Sequence, residues 1–147
     1  MSKKELIKIL SEILVPSGFK NKGNYWLING DVISKMINLQ KSQFANDYYI
    51  NYGYILKSIP LEGLMMHIYN RLSSADATEN NRIKELLNLE NHIADQDRKK
   101  ELKEFIIDKI ISKIQRVNTE EDVLNELKKR QNLNDIPLIV KKYFQII

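Results

Sequence analysis

The sequence predicts an α+β fold: an N-terminal helix, an antiparallel sheet of about four strands, then C-terminal helices. Three observations predict it. Apolar residues recur at helical spacing from Leu6 to Leu14. After Pro16 the period shortens to roughly two and stays there to Leu56. From Gln96 onward helical periodicity returns and dominates the rest of the chain. No internal repeat, linker or low-complexity tract interrupts this order, so the 147 residues are expected to form a single domain, 1–147, with its elements segregated.

The first helix opens on a Ser-x-x-Glu pattern, Ser2 and Glu5, in which each side chain can satisfy the other's free backbone N–H. Leu6, Ile7, Leu10, Ile13 and Leu14 form its apolar stripe. Pro16 stops it, because proline removes a helical hydrogen bond and clashes with the preceding turn. Gly18 is placed to supply a positive φ in the turn that follows. Residues 18–23, Gly-Phe-Lys-Asn-Lys-Gly, lack the spacing of a phosphate-binding loop and are read as a turn.

Asn24 to Ile28 reads as a strand, Asn29-Gly30 as a two-residue hairpin turn with positive φ at both positions, Val32 to Lys41 as the return strand, and Asp47 to Leu56 as a third, dense in Tyr and Ile. Pro60 and Gly63 break the pattern. Residues 64–72 fit alternation and helical spacing equally well. A strand is expected there because it widens the sheet. Residues 73–95 read as polar and irregular, with a short strand or turn over 85–90. Gln96 to Val117 forms a long helix with Leu102, Phe105, Ile106, Ile110, Ile114 and Val117 inward and Ile107 and Ile111 widening the stripe. The charged run from Asp95 to Glu104 reads as its solvated start and outer face. Thr119 caps the next helix, with Glu120, Glu121 and Asp122 at its positive end. A last helix begins near Asp135, with Pro137 in its first turn, and buries Ile139, Val140, Tyr143, Phe144 and Ile147.

Composition excludes several functions. There is no cysteine, which removes disulfides, thiolate metal sites and cysteine nucleophiles. The two histidines, His67 and His92, do not make an all-protein transition-metal site, and no cofactor is expected. No apolar run approaches the ~20 residues that span a bilayer, and the start lacks a secretory signal. A cytoplasmic location with no membrane partner is the expectation. The net charge is +4. Residues 1–58 carry eight lysines and four acids, and the remainder balances fifteen cations against fifteen acids. The excess lies wholly in the first part, where it can steer a polyanion.

Side-chain parity carries the functional reading. Ile33, Ile37 and Leu39 point one way on the second strand, as do Tyr48, Ile50, Tyr52, Tyr54 and Leu56 on the third. A one-residue slip would turn either set into water, so the parity of pairing is fixed. With a turn near 42–46, Asn38 falls opposite Asn51, Gln40 opposite Tyr49, and Met36 opposite Gly53. The fourth strand then adds His67, Tyr69 and Arg71. One row results: Asn38, Gln40, Tyr49, Asn51, His67, Tyr69 and Arg71. It is a recognition surface, a solvated sheet face, or a face satisfied internally under a helix.

His67 with Arg71 would suit a general base and an anion clamp, but no acid orients the histidine and no nucleophile sits beside it in the sequence. Ser42 lacks the context of a nucleophile elbow. Tyr25, Trp26 and Tyr49, interleaved with lysines, are candidates for stacking on single-stranded nucleic acid. His92 reads as exposed, and Met65 and Met66 as core filler.

Four motifs in series, Gly18-Phe19-Lys20-Asn21-Lys22-Gly23-Asn24, Asn38-Leu39-Gln40-Lys41-Ser42, Tyr49-Ile50-Asn51-Tyr52-Gly53 and His67-Ile68-Tyr69-Asn70-Arg71-Leu72, together with the N-terminal helix before them, resemble the domain-of-unknown-function 4304 family. The resemblance covers the first half in motifs and the helical half in order and length. Asn21 and Tyr52 depart from its commonest residues. The resemblance implies a small cytoplasmic bacterial protein of one α+β domain. It also implies relatives among immunity proteins that neutralise toxins, and it brings no catalytic residues. The expected function is therefore binding of a cognate protein toxin. The alternatives are a nucleic-acid-binding module built on the basic first half, and a small-molecule sensor or enzyme using His67 and Arg71.

Overall fold

The computed structural model describes residues 1–146. Helix α1 (Lys3–Leu14) begins where expected, with the Ser2 hydroxyl accepting from Glu5 N–H at 3.2 Å. A single 3₁₀ turn over Val15–Ser17 carries Pro16, and Gly18 closes it at φ 98°. Five strands follow as one antiparallel meander: β1 (Lys20–Lys22), β2 (Tyr25–Ile28), β3 (Ile33–Lys41), β4 (Tyr48–Leu56) and β5 (Ile68–Arg71). Then come α2 (Ala77–Leu87), α3 (Asp95–Ile106), a π turn (Ile107–Ile111) leading into α4 (Ser112–Ile114), α5 (Glu120–Lys128) and α6 (Leu138–Phe144).

The expected register is the observed one. Asn38 pairs with Asn51, Gln40 with Tyr49 and Met36 with Gly53. One face of the sheet, carrying Trp26, Ile33, Ile37, Leu39, Ile50, Tyr52, Tyr54, Leu56 and Ile68, joins residues of α1 to α6 in one continuous core. Trp26 binds the two layers together by donating from Nε1 to the Ser11 hydroxyl on α1 at 3.0 Å. We call the opposite face the outer face.

Several expectations need correction. The stretch read as a turn at 18–23 contains β1, a fifth strand. Lys-Asn-Lys is a poor strand former, but a tight turn at Gly23 (φ 60°) lays it beside β2, and the Asn21 amide clamps that turn by donating to Gly23 O and Tyr25 O. The Asn29-Gly30 pair does not make a two-residue turn. Ile28 pairs with Lys35, so the connection is wider, and Gly30 is not among the residues with positive φ. Glycine is needed there because a Cβ would lie 2.2 Å from Ile33 O. Residues 73–95 are not irregular, since they contain α2. Asp76 caps it by accepting from Glu79 N–H, and Ile83, Leu86 and Leu87 are its buried face. Three apolar positions in a polar stretch gave too weak a period to read.

The segment 64–72 is a strand only from Ile68. Before it, Leu64 and Met65 are exposed and Met66 is buried, so Met65 is not core filler. On the long helix Ile111 is buried and Ile107 is 47% exposed. Leu102, Ile106, Ile110 and Ile114 recur every four residues, which overruns the ~3.6 residues of a regular turn. The π turn at Ile107–Ile111 absorbs the excess residue and returns Ile114 and Val117 to the core. Tyr143 is exposed, while Val140 is buried. Ile147 lies outside the described residues.

The charged run at 95–104 holds the largest surprise. Arg98, read as part of a solvated face, is 0% exposed. Its guanidinium donates to Leu86 O at the end of α2 and to Asn91 O. The neighbouring Arg82 and Glu101 meet through two parallel hydrogen bonds of 2.9 and 2.6 Å between α2 and α3, which holds the Glu101 carboxyl below the usual carboxylate range. Thr119 caps α5 as expected, and Asp122 answers it with a return bond to the cap backbone. Among the described residues no helix is long and apolar enough to cross a membrane.

Candidate functional site

Six of the seven row residues share the outer face. The pairings of Asn38 with Asn51, Gln40 with Tyr49, Asn51 with Arg71 and Gly53 with Tyr69 place them on alternate positions of β3, β4 and β5. Arg71 is the hub. Its guanidinium carbon lies 3.8 Å from the Tyr49 ring centroid, a cation–π contact. Its Nη2 donates to Gln40 Oε1 at 3.3 Å and its Nε to Asn51 Oδ1 at 3.4 Å. Asn51 Nδ2 donates to the same Gln40 oxygen at 2.9 Å. Asn51 is buried, whereas Gln40, Tyr69 and Arg71 are exposed. The amides therefore fix the guanidinium from below and leave its outer side to solvent. Asn38 is half-buried, and its Oδ1 has no hydrogen-bond partner.

The seventh residue, His67, does not join the row. It is 1% exposed and lies just before β5. Its Nδ1 accepts from Leu56 N–H at 2.9 Å, and its Nε2 faces Pro60 O at 2.9 Å. Nδ1 as acceptor leaves Nε2 as the protonated donor. Both ring nitrogens are thus spent on backbone, tying the end of β4 to the loop before β5. This arrangement removes the His67–Arg71 pairing as a base and clamp. His67→Leu is expected to cost about 1–3 kcal/mol, the penalty for leaving a buried backbone N–H unpaired. Urea unfolding measures it, and an unchanged midpoint would count against this role.

The outer face has a definite charge. Strand alternation brings Lys20 and Lys22 to it, since they pair with Leu27 and Tyr25, and Tyr25 in turn pairs with Asn38. With Arg71 the outward strand positions hold three cations and no carboxylate. Trp26, read as a stacking candidate, is 0% exposed and faces the core. Tyr25 and Tyr49 are half-buried on the outer side. Ser42 caps its own turn by accepting from Phe44 N–H, and at the tip of that turn Phe44 is 93% exposed. His92 is exposed, as expected.

Arg71 also borders a pocket of about 620 Å³ between the end of the sheet and α2, lined by Asp47, Tyr49, Asn80, Lys84 and Asn88 among others. A backbone hydrogen bond from Leu89 N to Asn46 O and a bridge between Asp47 and Asn88 hold α2 against the hairpin. Asp47 Oδ1 is buried there without a partner. The pocket thus pairs an acceptor that lacks a donor with an arginine whose outer side is open. Sequence reading missed Asp47 and the α2 wall because α2 itself was not legible.

No curated protein and no solved structure matches the chain. The sequence profile of a domain of unknown function, DUF4304, matches residues 10–129. That span runs from the middle of α1 through the end of α5 and includes the whole sheet, the Arg71 network and the buried Arg98. On that match, with the motifs of β1 to β5 in their expected order, the chain belongs to the DUF4304 family.

Proposed function

We propose that this protein is a binding protein without catalytic activity, acting in the cytoplasm of a bacterium as an immunity protein. It would engage a cognate toxin through the outer sheet face. The observation that carries this reading is the Arg71 cluster. Arginine, tyrosine and methionine are the residues that protein interfaces favour, and few of them carry most of the binding energy. Here an arginine is stacked on Tyr49, fixed by two amides, and flanked two residues earlier on the same strand face by exposed Tyr69. Pre-fixing a long side chain lowers the entropy lost on binding. The absence of carboxylates among the outward strand positions favours an acidic partner surface. Against the enzyme alternative stand the two backbone bonds that occupy His67.

The test starts from the neighbouring genes. Co-expression of this chain with a toxin-like neighbour is expected to restore growth, and Arg71→Ala or Tyr69→Ala is expected to weaken the complex by about 2 kcal/mol or more, the scale of a hot-spot truncation. Full lethality with every neighbouring candidate would sink the immunity reading. Undiminished affinity in both variants would move the interface off this face. The nucleic-acid alternative rests on the same Lys20, Lys22 and Arg71. It predicts salt-sensitive retention of single-stranded RNA or DNA that is lost when these residues are reversed in charge.

A further inference from the structure

A second hollow lies on the other side of β5, facing the helices. It encloses about 600 Å³, and its walls are Tyr52 and Tyr54 of β4, Asn70 of β5, and the ends of two helices. Lys113 and Arg116 come from the end of the long helix, and Lys129 and Arg130 from the end of α5. Glu126 is its one carboxylate. These four cations belong to the part of the chain whose charges cancel in the sequence. The fold alone concentrates them.

The helix dipole accounts for each cation near its own helix end. It does not account for two helix ends converging over one hollow, where like charges repel. Two of the four are already engaged. Arg130 pairs with Asp135 at 2.9 Å and donates to Asn70 Oδ1 and Tyr69 O, and Lys129 is 3.8 Å from Glu126. Lys113 and Arg116 form no ion pair among the described residues, and both are exposed. Opposite them, the Tyr52 and Tyr54 side chains line the floor with no hydrogen-bond partner among the described residues. Burial, reinforced by the nearby Glu126 carboxylate, pushes the Tyr54 hydroxyl above its ordinary range, so it stays a proton donor. The hollow therefore offers fixed donors and unneutralised positive charge, with a volume in the range of small-molecule sites.

We propose that this hollow binds a phosphorylated small molecule of nucleotide size, with Lys113 and Arg116 neutralising the phosphoryl oxygens and the tyrosine hydroxyls donating to them. Arginine and lysine suit this work because charge-assisted hydrogen bonds to phosphate are the strong ones. Arg71 borders this hollow at the strand edge, but Lys113, Arg116 and Tyr54, the residues assigned to the phosphate, take no part in the outer-face cluster.

Isothermal titration at low salt with pyrophosphate, ATP and a short single-stranded RNA decides the matter. Saturable binding of ATP or pyrophosphate is expected. The double variant Lys113→Glu, Arg116→Glu should weaken it at least tenfold, and Tyr54→Phe should weaken it by a smaller factor. Lys20→Glu with Lys22→Glu, on the outer face, should leave it unchanged. Both positions of the first pair are exposed, so the fold is expected to survive, and circular dichroism checks this. The proposal is overturned if no phosphate-bearing probe saturates, or if the outer-face pair reduces binding as much as the Lys113 and Arg116 pair. RNA binding without ATP or pyrophosphate binding also overturns it, in favour of a nucleic-acid track. None of these outcomes bears on toxin binding by Arg71, so the two readings fail separately.

Discussion

Gly53→Ala is expected to destabilise the protein by about 2–3 kcal/mol, at the upper end of what overpacking costs, and to abolish binding through Arg71. Gly53 sits in the middle of β4 on the outer face, opposite Met36 and Tyr69. A Cβ there would lie 1.9 Å from Ile68 O and 2.7 Å from Tyr69 Cα. Both are backbone atoms, so no rotamer change can relieve the contact. The β5 backbone curls over the outer side of β4 at this point, and only a residue without a side chain lets it do so. Displacing β5 would carry Arg71 away from Tyr49, Gln40 and Asn51 and would open the hydrogen bonds of His67 and Leu72 to β4. Chemical denaturation and the affinity for a partner should fall together. A variant that keeps its unfolding midpoint would show that β5 can withdraw without cost.

Arg98→Leu is expected to cost up to about 3–6 kcal/mol, the sum of two hydrogen bonds from a charged donor at roughly 1.5–3 kcal/mol each. Two effects compete. Removing a buried charge relieves desolvation, and replacing buried ions by apolar residues can stabilise a protein. Here burial already pushes the Arg98 pKa down and leaves Nε unpaired. But the partners are not a second ion that could be removed with it. They are the Leu86 and Asn91 carbonyls, one at the last turn of α2 and one in the loop beyond it. Leucine would leave the buried Leu86 carbonyl without a donor and strip the Asn91 carbonyl of its charged partner, so the loss outweighs the relief. Arg98→Lys should recover less than half, because one ammonium cannot reproduce a planar fork. Thermal unfolding measures this. A leucine variant as stable as the parent would mean that water reaches both carbonyls.

These two residues show where sequence reading stops. Gly53 could be assigned to β4 and to its face, yet nothing in Tyr-Gly-Tyr says that another strand passes within contact distance. Arg98 sits among six other charged residues between 97 and 104, and composition alone makes it solvent-facing. His67 shared the parity of Tyr69 and Arg71, but the strand begins one residue after it, and its ring turned to the backbone of β4 instead.

Local patterns determined α1 and the strands β2, β3 and β4 in order, the β3–β4 register and the outward placing of Asn38, Gln40, Tyr49, Asn51, Tyr69 and Arg71. The reason is that a strand alternates strictly and a buried face admits only one parity. The family motifs followed the same strands. Tertiary structure alone decided which charges are buried, which glycine is indispensable, and that Lys113, Arg116, Lys129 and Arg130 meet at one hollow. Those outcomes depend on how far apart chain segments approach one another, a quantity set by packing of the whole core and carried by no short stretch of residues.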